Sequence, residues 1–320
     1  MKEQLLENFR RAKVAVIGDI ILDRYTWGDV SRISPEAPVP VVRVNKKDDR
    51  LGGAANTAQA ISALEAPVTL IGRLGDDLAA DRVKKLLDER GIDFEKLPNR
   101  DDLPTTVKSR VIAETQHVVR VDDEVRRPVK MELLREQKES LAETLAGFDA
   151  VLLSDYGKGV FSTETLSFWL ELIGDLELPV VVDPHSPHFS CYRGATILTP
   201  NERELREGME KNEFEAEPLA ELAPRAKEML GLEALLVTQG DRGMTLFEDP
   251  GSYHIDTEAR EVYDVTGAGD AVAAIVTLGE ALGADRKEVI EIANLAAGLV
   301  VARMGTTAVK PGEIKEVLET

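Results

Sequence analysis

The chain has 320 residues, 43% apolar and 30% charged, a composition that excludes a disordered polymer and provides for a large core. Its 58 acids against 39 bases leave a net charge of −19, which argues against a nucleic-acid partner. Cys191 is the only cysteine, so no disulfide framework or cysteine metal site is available; with no signal-peptide pattern and no bilayer-length apolar run, a cytoplasmic protein without a membrane partner is expected.

In chain order, Lys13–Gly18 is a short apolar run closed by glycine and predicts a buried strand. Asp19 and Asp23 follow it, and carboxylates there are natural acceptors for hydroxyl groups. Tyr25–Val44 holds too much proline for a helix and alternates toward its end, predicting antiparallel strands outside the main sheet. Gly52 and Gly53 lead into a helical pattern over Ala54–Leu64. With Asn56 they offer backbone N–H groups and an amide to a polyhydroxylated ligand. Val68–Gly72 reads as a strand and Asp76–Arg90 as a helix. Thr105–Asp122 alternates about a polar turn and predicts a second antiparallel pair. Lys108 and Arg110 have the same parity on it, and Lys108 and Arg120 are the candidate partners for a substrate anion.

Helical patterns then follow over Met131–Ala146, Thr163–Ile173 and Pro218–Leu230, with apolar strands at Ala150–Gly157, Pro179–Pro184, Ala195–Asn201 and Ala234–Gly240. Strands apolar on both faces, separated by helices, predict a doubly wound, mostly parallel α/β sheet with a small antiparallel lid. The chain is expected to form a single domain over residues 1–320, with the lid inserted at about 25–44 and 105–122. Ligands of such sheets bind beyond the carboxyl ends of the strands.

Asp264–Ala274 (DVTGAGDAVAA) is the most informative stretch. A flexible turn opens a helix, and the N–H groups of Gly267, Ala268 and Gly269 would lack intrahelical acceptors. They can converge on an oxyanion, with Asp270 placed to accept a proton from an attacking hydroxyl. An ordinary glycine turn capped by aspartate would leave the same pattern. A nicotinamide enzyme is excluded, because GDIILD stands where G-x-G-x-x-G should follow the first strand. The four histidines show no metal-ligand spacing.

GGAANTA, TPNERE, VTQGDRGM and DVTGAGDAVAA, in this order, resemble the signatures of the ribokinase-like (PfkB) sugar kinases. The resemblance covers essentially the whole chain. It implies an ATP-dependent carbohydrate kinase with Asp270 as general base and Gly267, Ala268 and Gly269 as anion hole. Asn201 and Glu204 would organise Mg²⁺ through waters. Thr238 and Gly240 would meet the nucleotide, Asn294 would lie beside the adenine, and Asp264 would help hold a monovalent cation such as K⁺. Asp19, Asp23, Gly52, Gly53 and Asn56 would form the sugar site, and a homodimer through the lid is expected. VIGDIILDRYTWGDVSRISPEAPVPVVRV, LSDYGKG, YRGATILTPN and EVYDVTGAGD resemble the heptose 7-phosphate kinases of that family, which act at C1 of the sugar. His185 departs from that pattern, standing where those kinases carry lysine. The alternatives are a kinase for another sugar, sugar phosphate or nucleoside, and a non-catalytic sensor on the same fold; an intact GAGD turn with its acid disfavours the sensor.

Overall fold

The computed structural model describes residues 2–98, 103–114, 116–185, 189–209, 217–257, 262–303 and 305–319. The chain begins with α1 (Lys2–Asn8), β1 (Val14–Gly18), β2 (Ile20–Ile33), β3 (Pro40–Gly53), α2 (Ala54–Ala63), β4 (Val68–Gly72), α3 (Leu78–Asp88) and β5 (Asp93–Lys96). It continues through β6 (Thr106–Ala113), β7 (Gln116–Asp123), α4 (Met131–Glu136), α5 (Lys138–Leu145), β8 (Ala150–Ser154), α6 (Thr163–Asp175) and β9 (Val180–Asp183). The last part holds β10 (Ile197–Leu198), α7 (Glu202–Gly208), α8 (Leu219–Leu230), β11 (Ala234–Thr238), β12 (Met244–Glu248), β13 (Gly251–Ile255), α9 (Ala268–Ala281), α10 (Arg286–Val301) and α11 (Pro311–Leu318).

Among these residues one sheet runs β13-β12-β11-β10-β9-β8-β1-β4-β5, parallel except where β12 meets β11 and β13. Burial of β1 on both faces explains its unbroken apolar sequence. Val14 and Val16 enter the core packed with α2, α9 and α10, while Ala15 and Ile17 enter the core packed with α5, α6 and α8. No helix among the described residues is long and apolar enough to cross a membrane.

A second sheet, β3-β2-β6-β7, forms the lid. It departs from expectation in two ways. First, β2 starts at Ile20, directly after Asp19, so Asp23 lies within the lid rather than before it. Second, β2 and β6 pair in parallel, and only the β2–β3 and β6–β7 pairs are antiparallel. The sheet is joined by a long excursion through α2 to β5 rather than by a hairpin, which is what a parallel pair requires. Two other boundaries shift. The helix expected over Met131–Ala146 breaks at Gln137, whose φ is −107°. The strand expected over Ala195–Asn201 shortens to two residues, because Asn201 turns the chain to cap α7.

Candidate active site

Asp19, Ser154, Asp183, Asn201 and Thr238 stand at the carboxyl ends of β1, β8, β9, β10 and β11, and the N-terminus of α9 comes to the same edge. Gly267 turns the chain into α9 with φ +86°, a conformation that needs glycine. The Ala268 N–H closes this turn on the Val265 carbonyl at 3.3 Å, so it is not available to an anion as the sequence had suggested. The amides of Gly267, Gly269 and Asp270 take no backbone acceptor among the described residues.

Asp270 is only 5% exposed. Its Oδ1 accepts from Tyr156 Oη at 2.6 Å and Thr57 Oγ1 at 2.7 Å, and its Oδ2 accepts from Asn56 Nδ2 at 2.5 Å. Burial nevertheless raises its pKa above the ordinary carboxylate value, against these three donors that favour the ion. Asn56 thus reaches the site as expected, but toward the acid.

Asp19, expected at the sugar, is engaged by backbone amides through both oxygens. Its Oδ2 accepts from the amides of Tyr156 at 3.1 Å and Lys158 at 2.9 Å, and its Oδ1 from Val160 at 2.9 Å. It clamps the turn after β8. Gly52 and Gly53 are the strand partners of Ile21 and Ile20. A Cβ on Gly52 would come within 2.3 Å of Asp23 Oδ2, so this glycine makes room for that carboxylate.

The lid brings a row of charges to one face. Asp23 pairs with Lys108 across the β2–β6 register, and Tyr25 with Arg110. Arg110 Nη1 donates to Asp23 Oδ1 at 2.5 Å and is its ion-pair partner. Lys158 is 8% exposed and pairs with Glu124 at 2.6 Å. Burial and the neighbouring Lys158 push the Lys108 ammonium below its usual range. Arg120 is directly opposite Arg110, so it shares the face of Lys108. It lies at the rim, however, with its side chain 57% exposed and both oxygens of Asp122 already engaged, at 2.9 and 3.0 Å.

On the other side of Asp270 lies a cavity of 460 Å³ lined by Asn201, Thr238, Gly240, Ala268, Gly269 and Asn294 among others. Thr238, Gly240 and Asn294, expected to meet a nucleotide, and Asn201, expected at both nucleotide and metal, therefore share one space with the α9 turn. Asn294 is anchored there by donating to the Asp256 carbonyl at 2.8 Å. A larger groove of 710 Å³, between β3, α2 and the segment after α10, carries none of the sequence-derived site residues.

Asn201 and Glu204 form a reciprocal cap on α7. Asn201 Oδ1 accepts from the Glu204 amide and Glu204 Oε2 from the Asn201 amide, each at 2.9 Å. Burial raises the Glu204 pKa. Asp183 is raised much further, by burial and then by the charges of Asp270 and Glu204. No three acidic, histidine or cysteine side chains among the described residues hold an ion by themselves. The buried carboxyl groups of Asp183 and Glu204 fit Mg²⁺ held through water and phosphate oxygens. Asp264 is less suited to hold a cation through its side chain. Oδ1 accepts from the Thr266 amide at 3.0 Å and hydroxyl at 2.6 Å, and Oδ2 from the Gly305 amide at 2.9 Å, so the carboxylate braces the loop.

Sequence reasoning missed Thr57, Tyr156, Lys158 and Asp183 as site residues. Asp183 carried a signal, an acid at a strand end; Thr57 and Tyr156 carried none without the fold. His188 lies outside the described residues.

The family model of the pfkB carbohydrate kinases matches residues 11–312. A D-beta-D-heptose 7-phosphate kinase of Bordetella bronchiseptica is 45% identical over 98% of this chain and 98% of its own length. A bifunctional protein HldE of Pelobacter propionicus is 41% identical over 98% of this chain, which spans 64% of that longer protein. Among solved structures, a Thermotoga maritima ribokinase superposes with a TM-score of 0.76 at 21% identity, covering 97% of this chain and 100% of that one. Escherichia coli phosphofructokinase-2 superposes with a TM-score of 0.78 at 17% identity, covering 96% and 98%. The fold, the turn at α9 and the cavity beside it accord with these matches: the chain belongs to the pfkB family of carbohydrate kinases and is an ATP-dependent sugar kinase.

Proposed function

We propose that this chain transfers the γ-phosphoryl group of ATP to the C1 hydroxyl of D-glycero-β-D-manno-heptose 7-phosphate, giving the 1,7-bisphosphate. The observation that carries the acceptor's phosphate is the cation group of half-buried Lys108 and Arg110 with buried Lys158 in a chain of net charge −19. Asp23 and Glu124 are the acids paired with it. Buried cations are costly unless an anion compensates them. The relatives named as heptose 7-phosphate kinase and HldE support the choice of sugar.

In this reading the sugar lies between Asp23 and Asp270, whose charges bear on each other. Asp270 takes the proton of the C1 hydroxyl as its oxygen attacks the γ-phosphorus, and ADP leaves. The amides of Gly267, Gly269 and Asp270 receive the charge that develops on the transferred group. ATP occupies the 460 Å³ cavity with its phosphates toward the α9 turn. Mg²⁺, when bound, neutralises phosphate charge; Asn201, Glu204 and Asp183 would hold it through its waters. The family match over residues 11–312 supports a single catalytic unit. The exposed Val119 and Val121 on β7, with Ile33 and Val44 elsewhere on the lid, support a homodimer through that sheet.

The test is an acceptor panel with ATP and Mg²⁺. Heptose 7-phosphate should exceed the unphosphorylated heptose, fructose 6-phosphate and ribose in kcat/KM. A higher value for any unphosphorylated sugar removes the assignment and leaves only the family activity.

A further inference from the structure

Asp270 has more partners than a base needs. Three protein donors converge on its two oxygens, and two of them, Tyr156 and Thr57, share Oδ1. Asn56 and Thr57 are on α2, whose Ala54, Ala55, Ala58 and Ile61 pack in the core. Tyr156 sits instead on the turn after β8, and that turn has its own fastening. The three amides of Tyr156, Lys158 and Val160 all donate to Asp19, at 2.9 to 3.1 Å. Asp19 follows β1 directly, and β1 and β8 are adjacent parallel strands. Two acids that share no contact are thereby linked: Asp19 fixes the turn, the turn fixes the phenol, and the phenol fixes one oxygen of Asp270.

We propose that Tyr156 is a positioning residue for phosphoryl transfer, held by the Asp19 clamp, that orients the Asp270 carboxylate toward the acceptor hydroxyl. This rests on Asp270 being the base. The phenol has no other role as a proton carrier. Burial, and then the charge of Asp270, keep its pKa well above the ordinary phenol value, so it stays a donor. In the reaction the acceptor's O–H proton moves to Asp270, the new O–P bond forms at the γ-phosphorus and the bond to ADP breaks; Tyr156 keeps its proton throughout. Two donors on Oδ1 fix the carboxylate plane. Oδ2 has only Asn56, so Oδ2 is the oxygen with room for the incoming proton.

The groups facing Asp270 are Asn56 and Thr57 from α2, Tyr156 from the turn after β8, and the charges of Asp23 on β2 and Asp183 on β9. Removing the phenol hydroxyl removes a donor that favours the ionised carboxylate. The acid limb of the kcat profile then moves to higher pH.

The experiment compares the wild type, Tyr156→Phe and Asp270→Asn across pH. Tyr156→Phe should lower kcat by roughly ten- to a hundredfold, as loss of an outer-shell orienting group does. It should leave KM for ATP unchanged and shift the acid limb upward. Uniform replacement of the five tyrosines by 3-fluorotyrosine strengthens the donor and should shift the limb of the wild type downward, an effect that must vanish in Tyr156→Phe. Because the fluorinated wild type keeps every hydroxyl, an unmoved limb in it overturns the proposal even if Tyr156→Phe folds poorly. An unmoved limb in Tyr156→Phe, or a fluorine shift that survives there, overturns the proposal. Asp270→Asn with wild-type turnover would instead remove the base itself, and so separates the two failures.

Discussion

At the scale of the residue, Asp270 shows a conflict between stability and reaction. Burial of a carboxylate only 5% exposed raises its pKa, so the fold disfavours the ion relative to the unfolded chain. Its folded-state value lies above its unfolded one. The contribution to stability is therefore full at low pH and is lost as pH rises through the folded value. Asp270→Asn keeps the volume and removes the charge. Turnover should fall by ~10²–10⁴, the worth of a positioned base. The same variant should melt higher than wild type at neutral pH, and the gap should close as pH falls. Melting curves at several pH values check the sign; a variant less stable at neutral pH would show that the charge is compensated. Asp270 and its turn were legible in the sequence because glycines, an acid and a helix start fall within a few residues. Tyr156 was not, because it lies 114 residues away and meets Asp270 only through the β1–β8 pairing. Asp19 was legible as a residue at the strand end, but its clamp on the turn after β8 was not. A carboxylate at a strand end serves a ligand hydroxyl or a backbone amide equally well, and only the path of the turn after β8 decides between them.

At the scale of the element, the lid and α7 each give a separable test. Strand alternation correctly paired Lys108 with Arg110 on one face, but it could not order the strands. The parallel β2–β6 pairing, invisible to local pattern, is what sets Lys108 beside Asp23 and leaves β7, with Arg120, at the edge. Arg110→Gln and Lys108→Met should therefore weaken a phosphorylated acceptor much more than its unphosphorylated analogue while sparing ATP. Arg120→Gln should change both acceptors little, since an exposed ion pair contributes about 0–1 kcal/mol. Equal losses on both acceptors in the Lys108 and Arg110 variants would place the substrate phosphate elsewhere. On α7, Glu204 both caps the helix and carries charge. Glutamine keeps the capping acceptor and removes the charge. Glu204→Gln should leave the melting temperature nearly unchanged and raise the Mg²⁺ concentration for half-maximal rate. An unchanged Mg²⁺ titration would reduce Glu204 to a helix cap.

At the scale of the whole molecule, the excess of acid is not spread evenly in its effect. Asp155, Asp183, Glu204 and Asp270 have their pKa values raised by burial and gather at the carboxyl edge of the sheet. Outside that group, Glu202, Asp264 and Glu313 have theirs lowered by hydrogen bonds and cationic partners. The two sets act oppositely on folding. The raised set gives stability at low pH that is lost as pH climbs through the folded values; the lowered set gives stability above the unfolded carboxylate values that is lost as pH falls through the folded ones. The unliganded protein should thus become more stable as pH is lowered from neutral, before the lowered set protonates and reverses the trend. Mg²⁺ with a non-hydrolysable ATP analogue should flatten the first part of this curve. The cation supplies the neutralisation that protons supply in its absence, and binding adds stability according to ligand concentration over Kd. The measurement is a melting temperature against pH with and without Mg²⁺ and the analogue. Parallel curves, displaced but equal in slope between neutral and mildly acidic pH, would mean that the buried acids are not the charges the metal nucleotide meets.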